Sequence, residues 1–255
     1  MRSVFIIAKN TYLEIIRDRI LYGLIVFAIL LIGLSLALGQ LTFAEQARIT
    51  ADFGFSAIHI SAAILSIFVG STLVAREIDK KTILTLLARP ISRSQFLVGK
   101  YFGLYAVIVV ATLLLAAVLS ALLLLMGMDM SLAFVAGLYG VLLEASVLLS
   151  ATLFFGSFAS SMLSSAFVLA IFLTGHWVES LKFFSENSQS ASFILMSKVI
   201  RNIVPNLENF NWRSLFVYND LLPLNDLAFG SLYSLAWSVF FITLSALIIS
   251  RRDLG

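Results

Sequence analysis

Apolar residues along this chain come in long unbroken runs rather than in alternation. A helix needs roughly 20 apolar residues to cross about 30 Å of hydrocarbon. Six runs approach or exceed that length: residues 20–39, 57–75, 101–126, 132–158, 163–179 and 231–250. The first, from Ile20 to Gly39, carries no charge. It is longer than the roughly 7–15 apolar residues of a signal peptide, although Ala37-Leu38-Gly39 has the small residues of a cleavage site. The fourth run holds one charge, Glu144, and the sixth is stopped by Arg251 and Arg252. Strands of a membrane barrel would be about ten residues long with alternating polarity, and no segment reads that way. The pattern predicts an all-α polytopic membrane protein with six transmembrane helices and no soluble domain.

The segments between the runs have patterns of their own. In residues 1–19, Phe5, Ala8, Tyr12, Ile16 and Ile20 share one helical face, while Lys9, Asn10, Glu14, Arg17 and Asp18 crowd another. That separation predicts a helix lying in the membrane interface; the alternative is a plain extension of the first span. Residues 76–100 carry a mixed-charge cluster, Glu77, Asp79, Lys80 and Lys81, and then an apolar side made of Ile83, Leu84, Leu86 and Leu87. Pro90 disfavours helix at Arg89, and Ser92 is placed to cap a second helix that begins at Arg93. The reading is a helical hairpin, set against a merely solvated topogenic loop. Residues 180–230 are long for a connector. They predict one or two short helices, with Trp212, Tyr218 and Phe229 suited to an interfacial aromatic belt.

Composition agrees. Hydrophobic residues make up 60% of the chain, charged residues 12%, and mean hydropathy is +1.02. A soluble domain carries about 25% charged residues, so this chain could not cover its surface in water. It has no cysteine, which removes thiol catalysis, Cys-based zinc sites and iron–sulfur clusters. The basic residues set the orientation. With the N-terminus in the cytoplasm, the inner segments hold twelve: Arg2, Lys9, Arg17, Arg19, Arg76, Lys80, Lys81, Arg89, Arg93, Lys100, Arg251 and Arg252. The outer segments hold five: Arg48, Lys182, Lys198, Arg201 and Arg213. Both termini are expected in the cytoplasm and the chain in the cell membrane, with lipid around it and no nucleic-acid partner.

Candidate chemistry is sparse. A phosphate-binding loop needs Gly-x-x-x-x-Gly-Lys-Ser/Thr; the only Gly-Lys is Gly99-Lys100, followed by Tyr101 with Ser94 five residues before Gly99. The chain is not expected to bind ATP. His59 and His176 belong to no metal motif, and the His176/Glu179 pair is thin support for a metal, so none is expected. Ser157, Ser160 and Ser161 lack a Gly-x-Ser-x-Gly context, which argues against an intramembrane serine protease. Glu144 and His59 are the intramembrane polar candidates. Glu144 suits either a proton or cation site or a helix-to-helix hydrogen bond, and the sequence offers no second intramembrane charge for a relay. Small residues at Gly99/Gly103 and Gly156/Ser160/Ser164 suit close helix packing.

The layout as a whole resembles the type-2 ABC transporter permease family. The strongest local match runs from Arg76-Glu77-Ile78-Asp79-Lys80-Lys81-Thr82 through Leu86-Leu87-Ala88-Arg89-Pro90-Ile91-Ser92-Arg93 to Gly99-Lys100. Pro205-Asn206-Leu207-Glu208-Asn209-Phe210 is similar to the outer segment of a subgroup of these permeases. The resemblance implies that the hairpin docks on a separate ATP-binding subunit, which would hold ATP and Mg, with Glu77, Asp79, Lys80, Lys81, Thr82, Arg89, Pro90, Ser92 and Arg93 carrying the coupling. It implies a second permease copy or a relative as partner. Spans two and five would meet there, offering Ser56, His59, Ser61, Ser66, Ser71, Thr72, Ser164, Ser165 and Thr174 as lining.

The chain is therefore expected to be a non-enzymatic permease subunit of an ABC exporter. One alternative is a membrane subunit that couples an ATPase to mechanical or assembly work. Another is an ATP-independent secondary transporter, a class that often shows repeats and broken helices, neither of which the sequence displays.

Overall fold

A computed structural model describes residues 2–39, 45–73, 92–218 and 224–251, and among them there are helices and turns but no strand. Helix α1 (Arg2–Ile16) precedes α2 (Arg19–Gly39). Helix α3 starts at Gln46, runs to Ile64 and continues through a π-helical turn (Leu65–Val69). After it come α4 (Arg93–Leu125), α5 (Leu132–Gly156) and α6 (Ser161–His176). Two short helices follow, α7 (Val178–Glu186) and α8 (Ala191–Ile203), then a 3₁₀ turn (Leu207–Phe210) and α9 (Arg213–Val217). The long α10 (Leu224–Arg251) comes last.

Among the described residues, four helices are long and apolar enough to cross a membrane, within Gln46–Leu73, Arg93–Leu125, Leu132–Gly156 and Leu224–Ser250. The number rises to six if two bent pairs each form one span: α1 with α2, bent by 63°, and α6 with α7, bent by 53°. Helix α5 is apolar on every side and sits at the centre, with Val147, Leu148, Leu149, Ala151 and Leu153 fully buried. Helix α10 packs along it and turns Leu232, Leu235, Val239 and Leu247 outward, as a lipid-facing helix does.

Several elements differ from what the pattern of runs suggests. Helix α3 begins well before the apolar run at residue 57. Thr50, Ala51, Gly54 and Phe55 continue its buried stripe, so packing extends the helix through a stretch that hydropathy alone leaves out. Helix α1 packs on the bundle through a second face. Ile7, Thr11 and Ile15 are its buried residues, while Phe5 is 71% exposed. The cause is its seat on α4: a Cβ at Gly103 would lie 2.6 Å from the carbonyl oxygen of Ala8, and one at Gly99 would lie 2.7 Å from Ile7. The small residues of α4 thus admit the α1 backbone. The residues 178–217 form four helical pieces rather than one or two. Trp212 is buried at 7% exposure, not free for an aromatic belt, because its ring fills the space opposite Gly230 and stacks on Tyr139.

Candidate functional site

The cluster starts from three helices. His59 lies on α3, Glu144 on α5 and His176 on the last turn of α6. The near ends of these helices are tied together: the Ser71 hydroxyl lies 2.6 Å from that of Ser165 and 3.4 Å from that of Ser161, and Ser164 donates to the Thr152 carbonyl of α5 at 3.3 Å. Counting from that side at 1.5 Å per residue, His59 is about 21 Å from Leu73, Glu144 about 18 Å from Gly156 and His176 about 22 Å from Ser161. The three side chains therefore meet at one level.

They meet at bonding distance. His59 Nε2 is 2.8 Å from Glu144 Oε2, and His176 Nε2 is 3.6 Å from Glu144 Oε1. The glutamate side chain is 4% exposed, those of the histidines 16% and 23%. His176 Nδ1 donates to the carbonyl oxygen of Phe172 at 2.9 Å, a bond that fixes the ring and directs Nε2 at the carboxylate. Glu144 Oε1 is buried and accepts no hydrogen bond. Phe172 packs beside both rings, with centroids 5.7 Å from His59 and 4.8 Å from His176. Among the described residues this is the group whose donors fit a metal ion, with one ligand atom from each residue all within 4.8 Å of one another.

The segment 205–213 closes the cluster from above. Glu208, Phe210, Asn211 and Arg213 join His59, Glu144 and His176 around a cavity of about 60 Å³, enough for one or two water molecules. The sequence holds this cap down by local means. Asn206 Oδ1 accepts from the Glu208 amide at 3.1 Å, its Nδ2 donates to Glu179 at 2.9 Å, and its own amide donates to the Tyr233 hydroxyl at 2.8 Å. Leu207 and Phe210 are buried. The bundle makes room with glycine: a Cβ at Gly140 would sit 2.1 Å from the Phe210 carbonyl oxygen, and one at Gly175 2.8 Å from that of Pro205. Arg213, which also lines the cavity, donates to Ser56 at 2.8 Å with Asp52 4.0 Å from its Nε.

One reading of the sequence changes here. Glu144 does have ionisable neighbours, because two histidines remote in sequence converge on it. Glu179, the acid beside His176 in sequence, is engaged by Asn206. A histidine in each of two apolar runs and a glutamate in a third was the signal available, and only helix packing turns it into a cluster.

The other candidates are distributed unevenly. Glu77, Asp79, Lys80, Lys81, Thr82, Arg89 and Pro90 lie outside the described residues. Ser92 caps α4: its hydroxyl accepts from the Gln95 amide at 3.2 Å and the Gln95 side chain accepts from the Ser92 amide at 3.3 Å. Arg93 donates to the carbonyl oxygens of Ile249 at 2.5 Å and Ser250 at 3.2 Å, tying the start of α4 to the end of α10. Of the lining candidates, Ser61, Ser66 and Ser164 are buried within the chain and bonded to helix carbonyls. Exposed positions on α3 and α6 are instead Ile60, Phe68, Leu163, Phe167 and Leu173.

A larger groove of about 570 Å³ runs between α4, α5 and α10. Most of its hydroxyls are already partnered: Ser146 with Ser234 at 2.7 Å, Tyr139 with Ser231 at 2.9 Å, and Tyr105 with the Leu142 carbonyl at 3.3 Å. It offers an apolar slot rather than a polar recognition site.

The family model for ABC-2 family transporter proteins matches residues 5–254 of the chain. A search of curated proteins gave no match.

Proposed function

The chain belongs to the ABC-2 transporter family, and we propose that it is the permease subunit of an ABC exporter, driven by a separate ATP-binding subunit. The observation that carries the reading is the family match over nearly the whole length. The geometry of one end of the bundle supports it. There α1 lies against the first turns of α4 through Gly99 and Gly103, Lys100 approaches Glu14 at 3.7 Å, and Arg93 holds the end of α10. These contacts gather the N-terminal helix, the start of α4 and the last turn of α10 into one platform. Residues 76–91, the proposed coupling hairpin, lead directly into it. A push on that hairpin would reach three long helices together. Phe5, Ile6 and Leu13 leave α1 an exposed apolar face, suited to the membrane interface or to the ATPase. In this reading ATP and Mg are bound by the partner, the platform faces the cytoplasm with both termini, and two permease copies or relatives pair through α3 and α6.

A second reading has an observation of its own. The hydroxyls of Ser61, Ser66, Ser71, Ser164 and Ser165 are used within the chain, and Ile60, Phe68, Leu163, Phe167 and Leu173 form exposed apolar positions along α3 and α6. Such faces would seal against each other. They suit a subunit that passes ATPase work to an assembly or mechanical step.

The test is purification from native membranes in mild detergent with the co-purifying proteins identified. A stoichiometric ATP-binding subunit is expected, lost when Glu77, Asp79, Lys80, Lys81 and Arg89 are reversed in charge while membrane insertion persists. A chain that purifies alone and works in liposomes without ATP would overturn the reading. ATP-driven substrate uptake into inside-out vesicles, with ATP supplied outside, separates transport from mechanical work.

A further inference from the structure

We propose that His59, Glu144 and His176 bind one divalent transition-metal ion of the zinc class, clamping α3, α5 and α6 together beneath the 205–213 cap. The site lies apart from the platform, and the inference does not depend on which partner or direction of transport the permease has.

The argument begins with the lone pairs. His176 Nδ1 faces the Phe172 carbonyl oxygen at 2.9 Å. A carbonyl only accepts, so Nδ1 carries a proton. In the neutral ring Nε2 then presents a bare lone pair. What it faces, 3.6 Å away, is Glu144 Oε1, another acceptor, buried and without a hydrogen bond. Two acceptors aimed at each other across a buried gap call for a positive species between them. A cation held by both satisfies the imidazole and the orphaned oxygen at once.

The third ligand is already at hand. His59 Nε2 sits 2.8 Å from Glu144 Oε2; in the empty site its Nε2–H donates to the carboxylate. On metal uptake the ring takes the Nδ1–H tautomer and Nε2 becomes a ligand. Zinc–nitrogen and zinc–oxygen bonds of about 2.0–2.2 Å place tetrahedral ligand atoms roughly 3.4 Å apart. The observed separations of 2.8 and 3.6 Å bracket that value, and all three ligand atoms lie within 4.8 Å of one another.

The donor set selects the ion. Two imidazoles and one carboxylate suit zinc and its neighbours, while magnesium and calcium prefer oxygen ligands. The charges around the cavity permit a cation: Glu144 and Glu208 line it, and the Arg213 guanidinium on its wall is held by Ser56 with Asp52 nearby. The second-sphere bond from His176 to Phe172 is the kind that orients metal-bound histidines. The cavity of about 60 Å³ under the cap leaves room for a water molecule in a fourth position.

The experiment uses the full chain, purified through a tag without histidine, stripped with chelator and titrated with zinc alone and with cobalt alone. One tight zinc per chain is expected, with magnesium failing to compete. Cobalt should give the intense visible bands of a four-coordinate ion in the unmodified protein, a readout that needs no variant. His59→Ala, His176→Ala and Glu144→Gln should each weaken zinc binding at least tenfold, while Glu186→Gln, an exposed acid at the end of α7, should leave it unchanged. The proposal is overturned if the unmodified chain takes up neither metal stoichiometrically, or if the three variants bind zinc as tightly as the unmodified chain does.

Discussion

Glu144 and His59 are separated by 85 residues in the chain and by 2.8 Å in space, carboxylate oxygen to imidazole nitrogen. Their bond crosses from α5 to α3 at the level where His176 arrives from α6. Interhelical hydrogen bonds in membrane bundles contribute about 0.6–2 kcal/mol. Glu144→Leu should therefore lower the stability of the metal-free chain by about 1–2 kcal/mol, read as a lower melting temperature in detergent with chelator present. The double change with His59→Leu should cost less than the two single changes added. Strict additivity would show that the pair is not coupled.

The cap depends on Gly140. Alanine there would drive a methyl group to 2.1 Å from the Phe210 carbonyl oxygen, and backbone does not yield as a side-chain tip does. Gly140→Ala should cost about 1–3 kcal/mol as an overpacked contact. Gly33→Ala, where nothing lies within 4 Å, should be neutral or stabilise the helix by up to about 1 kcal/mol. Thermal unfolding of the two variants side by side checks both. Equal effects would mean that the cap does not press on α5.

The same reasoning applies to α1. A methyl group at Gly103 meets the Ala8 carbonyl oxygen at 2.6 Å, so Gly103→Ala should displace α1 from the platform. The expected result is normal insertion but reduced stimulation of the partner ATPase. Gly23→Ala, with open space around it, is the control. Full stimulation in Gly103→Ala would remove α1 from the coupling path.

The chain has no cysteine, which makes cross-linking clean. Ser71 and Ser165 hydroxyls are 2.6 Å apart, close to the about 2 Å of a disulfide. The pair Ser71→Cys and Ser165→Cys should oxidise within one chain, seen as a mobility shift that a reductant reverses. A cross-linked dimer instead would place these residues at an interface between copies.

The helical character and the central membrane-spanning runs were legible in the sequence because they rest on residue-by-residue hydropathy. A run such as Leu132–Gly156 needs no partner to declare itself. The family was legible for a related reason: its motifs are contiguous stretches. The cap on Ser92 was also readable, since capping is decided within a few residues, though the reciprocal bond from Gln95 came only with the structure. What hydropathy could not give was direction around each helix axis. Helix α1 turned Ile7 and Thr11 inward because Gly99 and Gly103 offered a groove at that angle. Trp212 went inside because Gly230 left room for it. The cluster of His59, Glu144 and His176 depends on the same kind of choice made three times, on three helices, at one height. Sequence determined that each was a polar residue in an apolar run. Only packing, by rotating α3, α5 and α6 and drawing 205–213 over them, decided that the three would share a cavity.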